Sequence, residues 1–300
     1  MATGRLPAAG PAPDNAGLRS RAAGHPGPRG PVIVLGYGHS GVGFLGGLLS
    51  SYRELACTSG TGLLPLCEAA AATWRQIENR AGPLSPLALA SIRALTGSLI
   101  TTALAGTGKV RWCEIAFAHP RCAETFLEVY PSARILCVHR SCPDVIRSGI
   151  RANPWGLADS VFGSFAVGYP GNPVAAIAAY WAANTEPLLE FERAHPGACH
   201  QVRYEDLAGR LNQVRAEISA FLSLDPARPA QLPLMDDDMR PAPGEDDPAD
   251  GAQVPWDKIP QPLVAVVNRL MGRMGYPPIP GPGSASVSGL DGVVSPPGAS

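Results

Sequence analysis

The sequence predicts a three-layer α/β sandwich around a central parallel sheet. Two observations carry this expectation. Short unbroken apolar runs, at residues 32–35 and 135–138, alternate with longer helix-forming stretches, and continuous apolar runs suit strands buried on both faces of a parallel sheet. Each run also leads at once into a turn and a helix start: PVIVLGYGHSGVGFLGGLL over residues 31–49 and ARILCVHRSCPDVIRS over residues 133–148. Strand and helix alternating along one chain is the pattern of crossovers that return to a single sheet.

Taken in order, residues 32–35 are the first strand, 37–43 a turn and 44–51 a helix-compatible stretch. Residues 63–80 are rich in helix formers and are stopped by Ala81-Gly82-Pro83. A second such helix covers 87–105 and ends at Gly106 and Gly108. Residues 109–115 read as a strand, 119–129 as a helix ended by Tyr130-Pro131, and 135–138 as a strand. Pro143 opens a helix over 143–150, with Asp144 at its positive end. A Gly/Pro-rich loop, 153–173, carries Trp155, Phe162, Phe165 and Tyr169, and a hydrophobic flap or the border of an acceptor pocket are both open for it. A long helix follows over 174–193, with a kink expected at Pro187. Residues 199–202 form a short strand, 211–222 an amphipathic helix and 260–274 the last helix. The acidic, Pro-rich stretch 236–250 reads as a solvated loop, with a lid as the alternative.

The 300 residues, 45% of them hydrophobic, suffice for one large α/β domain. We expect a disordered Gly/Pro/Ala-rich extension at 1–30, a folded domain at 31–277 and a disordered tail at 278–300. The extension lacks the apolar centre of a signal peptide. No apolar run reaches the roughly 18 residues of a membrane span, so a cytoplasmic protein without a membrane partner is expected. A net charge of −1 argues against nucleic acid. The seven cysteines are irregularly spaced with no CxxC pair, which points to reduced thiols and to neither a metal nor a disulfide framework.

The loop Gly36-Tyr37-Gly38-His39-Ser40-Gly41-Val42-Gly43 joins a strand to a helix. Such a loop aims backbone N–H groups at one point, and the helix end adds partial positive charge. Glycines let an anion approach the backbone, and Ser40 adds a hydroxyl. The spacing Gly36 to Gly41 fits half of a Walker A motif, but Val42 and Gly43 stand where Lys and Ser or Thr should follow. A kinase or nucleoside triphosphatase therefore lacks its phosphate lysine and its magnesium hydroxyl. A glycine turn without a ligand is the plainer alternative. In the second signature, Arg140 at a strand end can fork two N–H donors onto a phosphate, and Ser148 can donate to the same group. A surface pair of Arg140 with Asp144 is the plainer alternative there.

In ordered blocks the chain resembles the PAPS-dependent sulfotransferase family. The blocks are residues 32–49, YPSARILCVHRSCPDVIRS at 130–148, Tyr180-Trp181, VRYEDL at 202–207, Phe221-Leu222 and MGRMGY at 271–276. The resemblance spans about residues 31–277. It implies a P-loop-like nucleotide-binding fold and 3′-phosphoadenylyl sulfate (PAPS) as co-substrate, with no metal needed. It implies that Gly38, His39, Ser40, Gly41, Val42 and Gly43 cradle the phosphosulfate. By the same resemblance Arg140 and Ser148 grip the 3′-phosphate, and Tyr204 lies near the adenine. The implied reaction moves a sulfuryl group in line to a hydroxyl or amine of a small molecule, a natural product or a carbohydrate.

The chain departs from the family at the loop. His39 stands where the family has Lys or Arg, Val42-Gly43 where it has two threonines, and Ile115 where related sequences often carry a lysine. A cation at the first position stabilises charge on the bridging oxygen, and His39 does so only when protonated, which a nearby dianion favours. No carboxylate occupies the stretch Thr58-Ser59-Gly60-Thr61, where some branches place a general base. His39, His119 and Glu114 are the candidate catalytic groups. The alternative function is a degenerate member that binds nucleotide or a partner without sulfuryl transfer.

Overall fold

The computed structural model describes residues 29–225 and 254–280. The acidic stretch 236–250, most of the N-terminal extension and the end of the tail lie outside the described residues.

The centre is a five-stranded sheet, all parallel, in the order β2-β3-β1-β4-β5. The strands are β1 (Val32–Leu35), β2 (Leu55–Ser59), β3 (Arg111–Ala116), β4 (Arg134–His139) and β5 (Cys199–Arg203). The helices are α1 (Val42–Ser50), α2 (Leu63–Ile77), α3 (Pro86–Leu104), α4 (Pro120–Val129), α5 (Cys142–Ala152), α6 (Gly163–Gly168), α7 (Pro173–Ala194), α8 (Tyr204–Gly209), α9 (Leu211–Leu222) and α10 (Gln261–Arg273). β1 is the middle strand and all four of its residues are fully buried, which is why its sequence is unbroken Val-Ile-Val-Leu.

Side-chain alternation on the strands divides the core into two layers. Ile33, Leu35, Trp112, Ile135 and Cys137 face one side and pack with α2, α3, α4, α5, α7 and α10. Val32, Val34, Cys113, Leu136 and Val138 face the other and pack with α1 and α9. Ser141 caps α5 by accepting from the Asp144 N–H, and Asn172 caps α7 by accepting from the Ala175 N–H.

The structure adds three things. β2 was not expected: with only Leu55 and Ala56 buried, it is an edge strand whose half-polar sequence carries little apolar signal. α6 lies inside the segment read as loop. α7 runs helical from Pro173 through Pro187 to Ala194. A correction concerns α3: it has 19 residues and a mean hydropathy of 1.5, so by length and composition it is long and apolar enough to cross a membrane. Its Ala88, Ile92, Thr96 and Ile100 form a buried stripe, the spacing of a helix lying on a core.

Candidate active site

Beyond Leu35 the chain turns sharply at the C-terminal edge of the sheet. The Gly36 N–H donates to the Ala116 carbonyl (3.4 Å), and the Ser40 N–H closes a turn on the Tyr37 carbonyl (3.1 Å). His39 (φ 66°) and Gly41 (φ 96°) are both left-handed. A Cβ on Gly36 would meet Val42 Cγ1 at 2.5 Å, and one on Gly41 would meet the Tyr204 ring at 2.2 Å. The loop is thus wound too tightly for side chains at these two positions. Its final residues, Val42 and Gly43, form the first turn of α1, which no side chain caps. The N–H groups there keep their hydrogen-bonding capacity and the helix's partial positive charge.

Two donors of the loop already have partners. Ser40 is fully buried, and its Oγ accepts from the Tyr37 N–H (3.2 Å). The Gly38 N–H donates to the Tyr180 hydroxyl (2.8 Å). Tyr180 sits on α7, edge-on to Phe162 and Phe165.

β4 lies directly beside β1, so the residue after β4 arrives alongside the loop. That residue is Arg140, only 7% exposed. Its Nη1 donates to the His39 carbonyl (3.3 Å), and its guanidinium lies 4.1 Å from the centroid of the Tyr204 ring. Its own carbonyl accepts from Trp181 Nε1 (2.9 Å). Ser148, on α5, places Oγ 3.0 Å from His39 Nδ1, while the His39 ring stacks on Phe162 (5.1 Å between centroids). The two signatures, about a hundred residues apart in sequence, thus meet at His39. Tyr204, expected beside an adenine, is buried with its ring against Arg140 and Gly41.

The other two candidate residues have local partners. Glu114 is 2% exposed and accepts from Thr58 Oγ1 (2.7 Å) and from the Thr61 N–H (3.0 Å). Burial raises its pKa, and the bonds from Thr58 and Thr61 oppose that rise. His119 is the exposed N-cap of α4, with Nδ1 accepting from the Arg121 N–H (3.2 Å). Among the described residues, no hydrogen bond joins either of them to the loop.

Two further blocks of the sequence, 202–207 and 271–276, converge beside α5. Glu205 accepts from the Ser141 N–H (2.8 Å) and from the Tyr276 hydroxyl (2.7 Å), and the Arg203 guanidinium lies 4.1 Å from the centroid of the Tyr276 ring. They line a cleft of about 390 Å³ together with Asp144 and Arg147. Sequence reasoning named Phe162 only on a loop that could border an acceptor pocket, and did not foresee that Tyr180 and Phe162 reach the glycine loop. Tyr180 was visible only as half of a Tyr-Trp pair, because its meeting with Gly38 depends on how α7 crosses the sheet. All seven cysteines carry free thiols, and among the described residues no three His, Cys, Asp or Glu side chains cluster as metal ligands.

A parallel sheet whose central strand feeds a glycine loop and an uncapped helix defines a P-loop-like α/β fold. Residues 31–228 match the family model described as "Sulfotransferase family", and the chain belongs to that family. Among solved structures it is similar to the "Sulfotransferase Domain from the Curacin Biosynthetic Pathway", with 17% identity, 83% of this chain and 98% of that chain covered, and a TM-score of 0.57. It is also similar to the "Sulfotransferase Domain from the Synechococcus PCC 7002 Olefin Synthase", with 17% identity, coverage of 84% and 97%, and a TM-score of 0.53. At these identities the likeness concerns the fold. No curated protein sequence matches the chain.

Proposed function

We propose that this sulfotransferase moves a sulfuryl group from PAPS to the hydroxyl of a small molecule with an apolar body. The observation that carries the reading is the meeting of Arg140, Ser148 and His39 at the glycine loop. The residues present fit an anionic nucleotide. Gly36 and Gly41 leave no room for a side chain in the turn, and the first turn of α1 is uncapped. Arg140 adds a fixed cation, and Ser148 a hydroxyl.

In this reading the turn from Gly38 to Gly43 holds the phosphosulfate, and Arg140 with Ser148 holds the 3′-phosphate. The donor supplies the sulfuryl group. The acceptor oxygen bonds to sulfur as the bond from sulfur to the bridging phosphate oxygen breaks. The acceptor's proton passes to a base, and the bisphosphate leaves with the electron pair. What the protein contributes is alignment and a positive field at the bridging oxygen. His39 is the candidate catalytic residue that belongs to the loop itself, and we assign it the place of the family's cation.

The acceptor class follows from the border of the site. Residues 153–172 contain one charged side chain, Asp159, and expose Trp155 (99%), Val161 (54%) and Val167 (82%). A Cβ on Gly38 would lie 3.0 Å from Val161 Cγ2, so this border touches the loop. Phe117, just past the end of β3, is exposed as well. Such a rim favours a natural product with an apolar body over a carbohydrate, whose hydroxyls need polar partners. The test is transfer of labelled sulfate from PAPS to a panel of apolar alcohols, phenols and sugars. Transfer to sugars alone would defeat the acceptor class, and absence of PAPS binding would defeat the whole reading.

A second reading, nucleotide or partner binding without transfer, is favoured by a specific observation. The Gly38 N–H and the Ser148 hydroxyl, both expected to meet the nucleotide, are already engaged by Tyr180 and His39. Tight bisphosphate binding with no transfer across the panel is the outcome that selects it.

A further inference from the structure

The family loop carries two threonine hydroxyls where this chain has Val42 and Gly43, and the loop's own two hydroxyls are engaged elsewhere: Ser40 Oγ faces its own turn at the Tyr37 N–H, and the Tyr37 hydroxyl accepts from Thr185 Oγ1 (3.1 Å). A hydroxyl nonetheless stands at the loop, brought from α7. We propose that Tyr180 is a catalytic residue whose O–H donates to the sulfuryl end of the nucleotide, in place of the missing loop hydroxyls. This rests on the sulfuryl-transfer reading above.

The geometry favours such a donor. The Tyr180 oxygen accepts from the Gly38 N–H at 2.8 Å, so it sits against the backbone of the turn assigned to the phosphosulfate. That bond uses a lone pair and leaves the phenolic hydrogen available. Among the described residues no acceptor receives it, although Tyr180 is only 7% exposed. A phenol on a largely buried side chain that gives its hydrogen to no described acceptor suits a position where a ligand oxygen completes the set.

The ring is also held in place. Phe162 (4.8 Å, 83°), Phe165 (5.5 Å, 89°) and Tyr37 (6.2 Å, 79°) all meet it edge-on. A donor clamped before the reaction need not reorganise as charge develops, and such preorganisation is where enzymes gain most from a hydrogen bond. Burial raises the pKa of Tyr180, which keeps it a neutral O–H donor. Finally, the Gly38 N–H polarises the phenol and strengthens the bond that the phenol can give.

The experiment compares wild type with Tyr180→Phe in sulfuryl transfer from PAPS, in calorimetric binding of adenosine 3′,5′-bisphosphate, and in thermal melting. The expected result is a fall in kcat of about 100-fold, with bisphosphate affinity and melting temperature near those of wild type, because the bisphosphate lacks the sulfuryl group. Parallel losses of bisphosphate affinity and kcat would assign the hydroxyl to holding Gly38 and overturn the proposal, as would an unchanged kcat. Should Tyr180→Phe fail to fold, 3-fluorotyrosine at position 180 keeps the hydroxyl and makes it a stronger donor. A changed kcat at constant bisphosphate affinity then supports the proposal, and an unchanged kcat defeats it. Wild-type protein that binds nucleotide but transfers nothing overturns the transfer reading and this inference together. Wild type that transfers while Tyr180→Phe matches it overturns this inference alone.

Discussion

The Arg140 guanidinium carbon lies 4.1 Å from the centroid of the Tyr204 ring, and that same ring fills the space a Cβ on Gly41 would need. One buried aromatic therefore packs against both Arg140 and the glycine loop. Its first consequence concerns the fork of Arg140. Lysine keeps the charge but neither the planar stack nor the two parallel donors. Arg140→Lys should weaken binding of adenosine 3′,5′-bisphosphate at least tenfold, about 1.4 kcal/mol, and leave binding of adenosine 5′-monophosphate, which has no 3′-phosphate, nearly unchanged. Calorimetry with both nucleotides measures this. Equal losses for the two would remove Arg140 from the 3′-phosphate.

Gly41 and Gly46 make a matched pair. A Cβ on Gly41 would sit 2.2 Å from an aromatic ring and at φ 96°, whereas one on Gly46 would meet the tip of Ile115 at 2.1 Å. A packed ring moves less readily than the end of a flexible side chain, and a left-handed backbone strains an alanine as well, by about 1–3 kcal/mol. Gly41→Ala should therefore lower the melting temperature more than Gly46→Ala and should abolish nucleotide binding. Comparable melting of the two variants would argue against the tight loop.

How much of this was legible in the sequence depended on burial and on range. The unbroken apolar runs of β1 and β4 announced themselves because both faces of those strands are buried, and Pro and Gly marked the helix ends. β2 went unseen because an edge strand with the sequence Leu-Ala-Cys-Thr-Ser has no such run. Arg140 and Ser148 could be named from local pattern and family resemblance. Their meeting with His39 could not, because it depends on β1 and β4 being neighbours in the sheet. His119 was a candidate base because a histidine near a strand end suits that role; the helix cap made by its Nδ1 was not legible beforehand, although His-Pro at a helix start allows it. Tyr180 was missed for the same reason that Arg140's contacts were: its partner lies on a different element, and no local pattern reports that.

Glu114 offers a test by pH. Burial raises its pKa in the folded state, so ionising it there costs more than in the unfolded chain. The stability associated with its neutral form is present at acid pH and is lost as pH rises through the raised value. Glu114→Gln, neutral throughout, should therefore be more stable than wild type at neutral pH, with the difference closing below the ordinary glutamate range near about 4.3. The amide can still accept from the Thr61 N–H, and the Thr58 hydroxyl has a second acceptor in the Cys113 carbonyl (3.3 Å). Melting curves against pH measure the stability. If Glu114 anchors the 58–61 turn, transfer activity persists in this variant, whereas its loss would make Glu114 the base.

His39 separates the catalytic roles most directly. It is a non-glycine residue in a left-handed conformation, its carbonyl accepts from Arg140, and its ring lies between Phe162 and Ser148. If the imidazole stands in for the family's cation, only its protonated form helps the bridging oxygen leave. An imidazole loses its charge across the neutral range, while a lysine keeps its charge to about pH 10. Wild-type kcat should then fall with rising pH, and His39→Lys should hold its rate across the same interval. A base at this position predicts the reverse: wild-type kcat rises with pH, and the protonated lysine cannot take the acceptor's proton. The kcat profiles of wild type, His39→Lys and His39→Gln distinguish the two. A glutamine variant as fast as wild type at every pH would remove His39 from the chemistry and leave it a packing residue over Phe162.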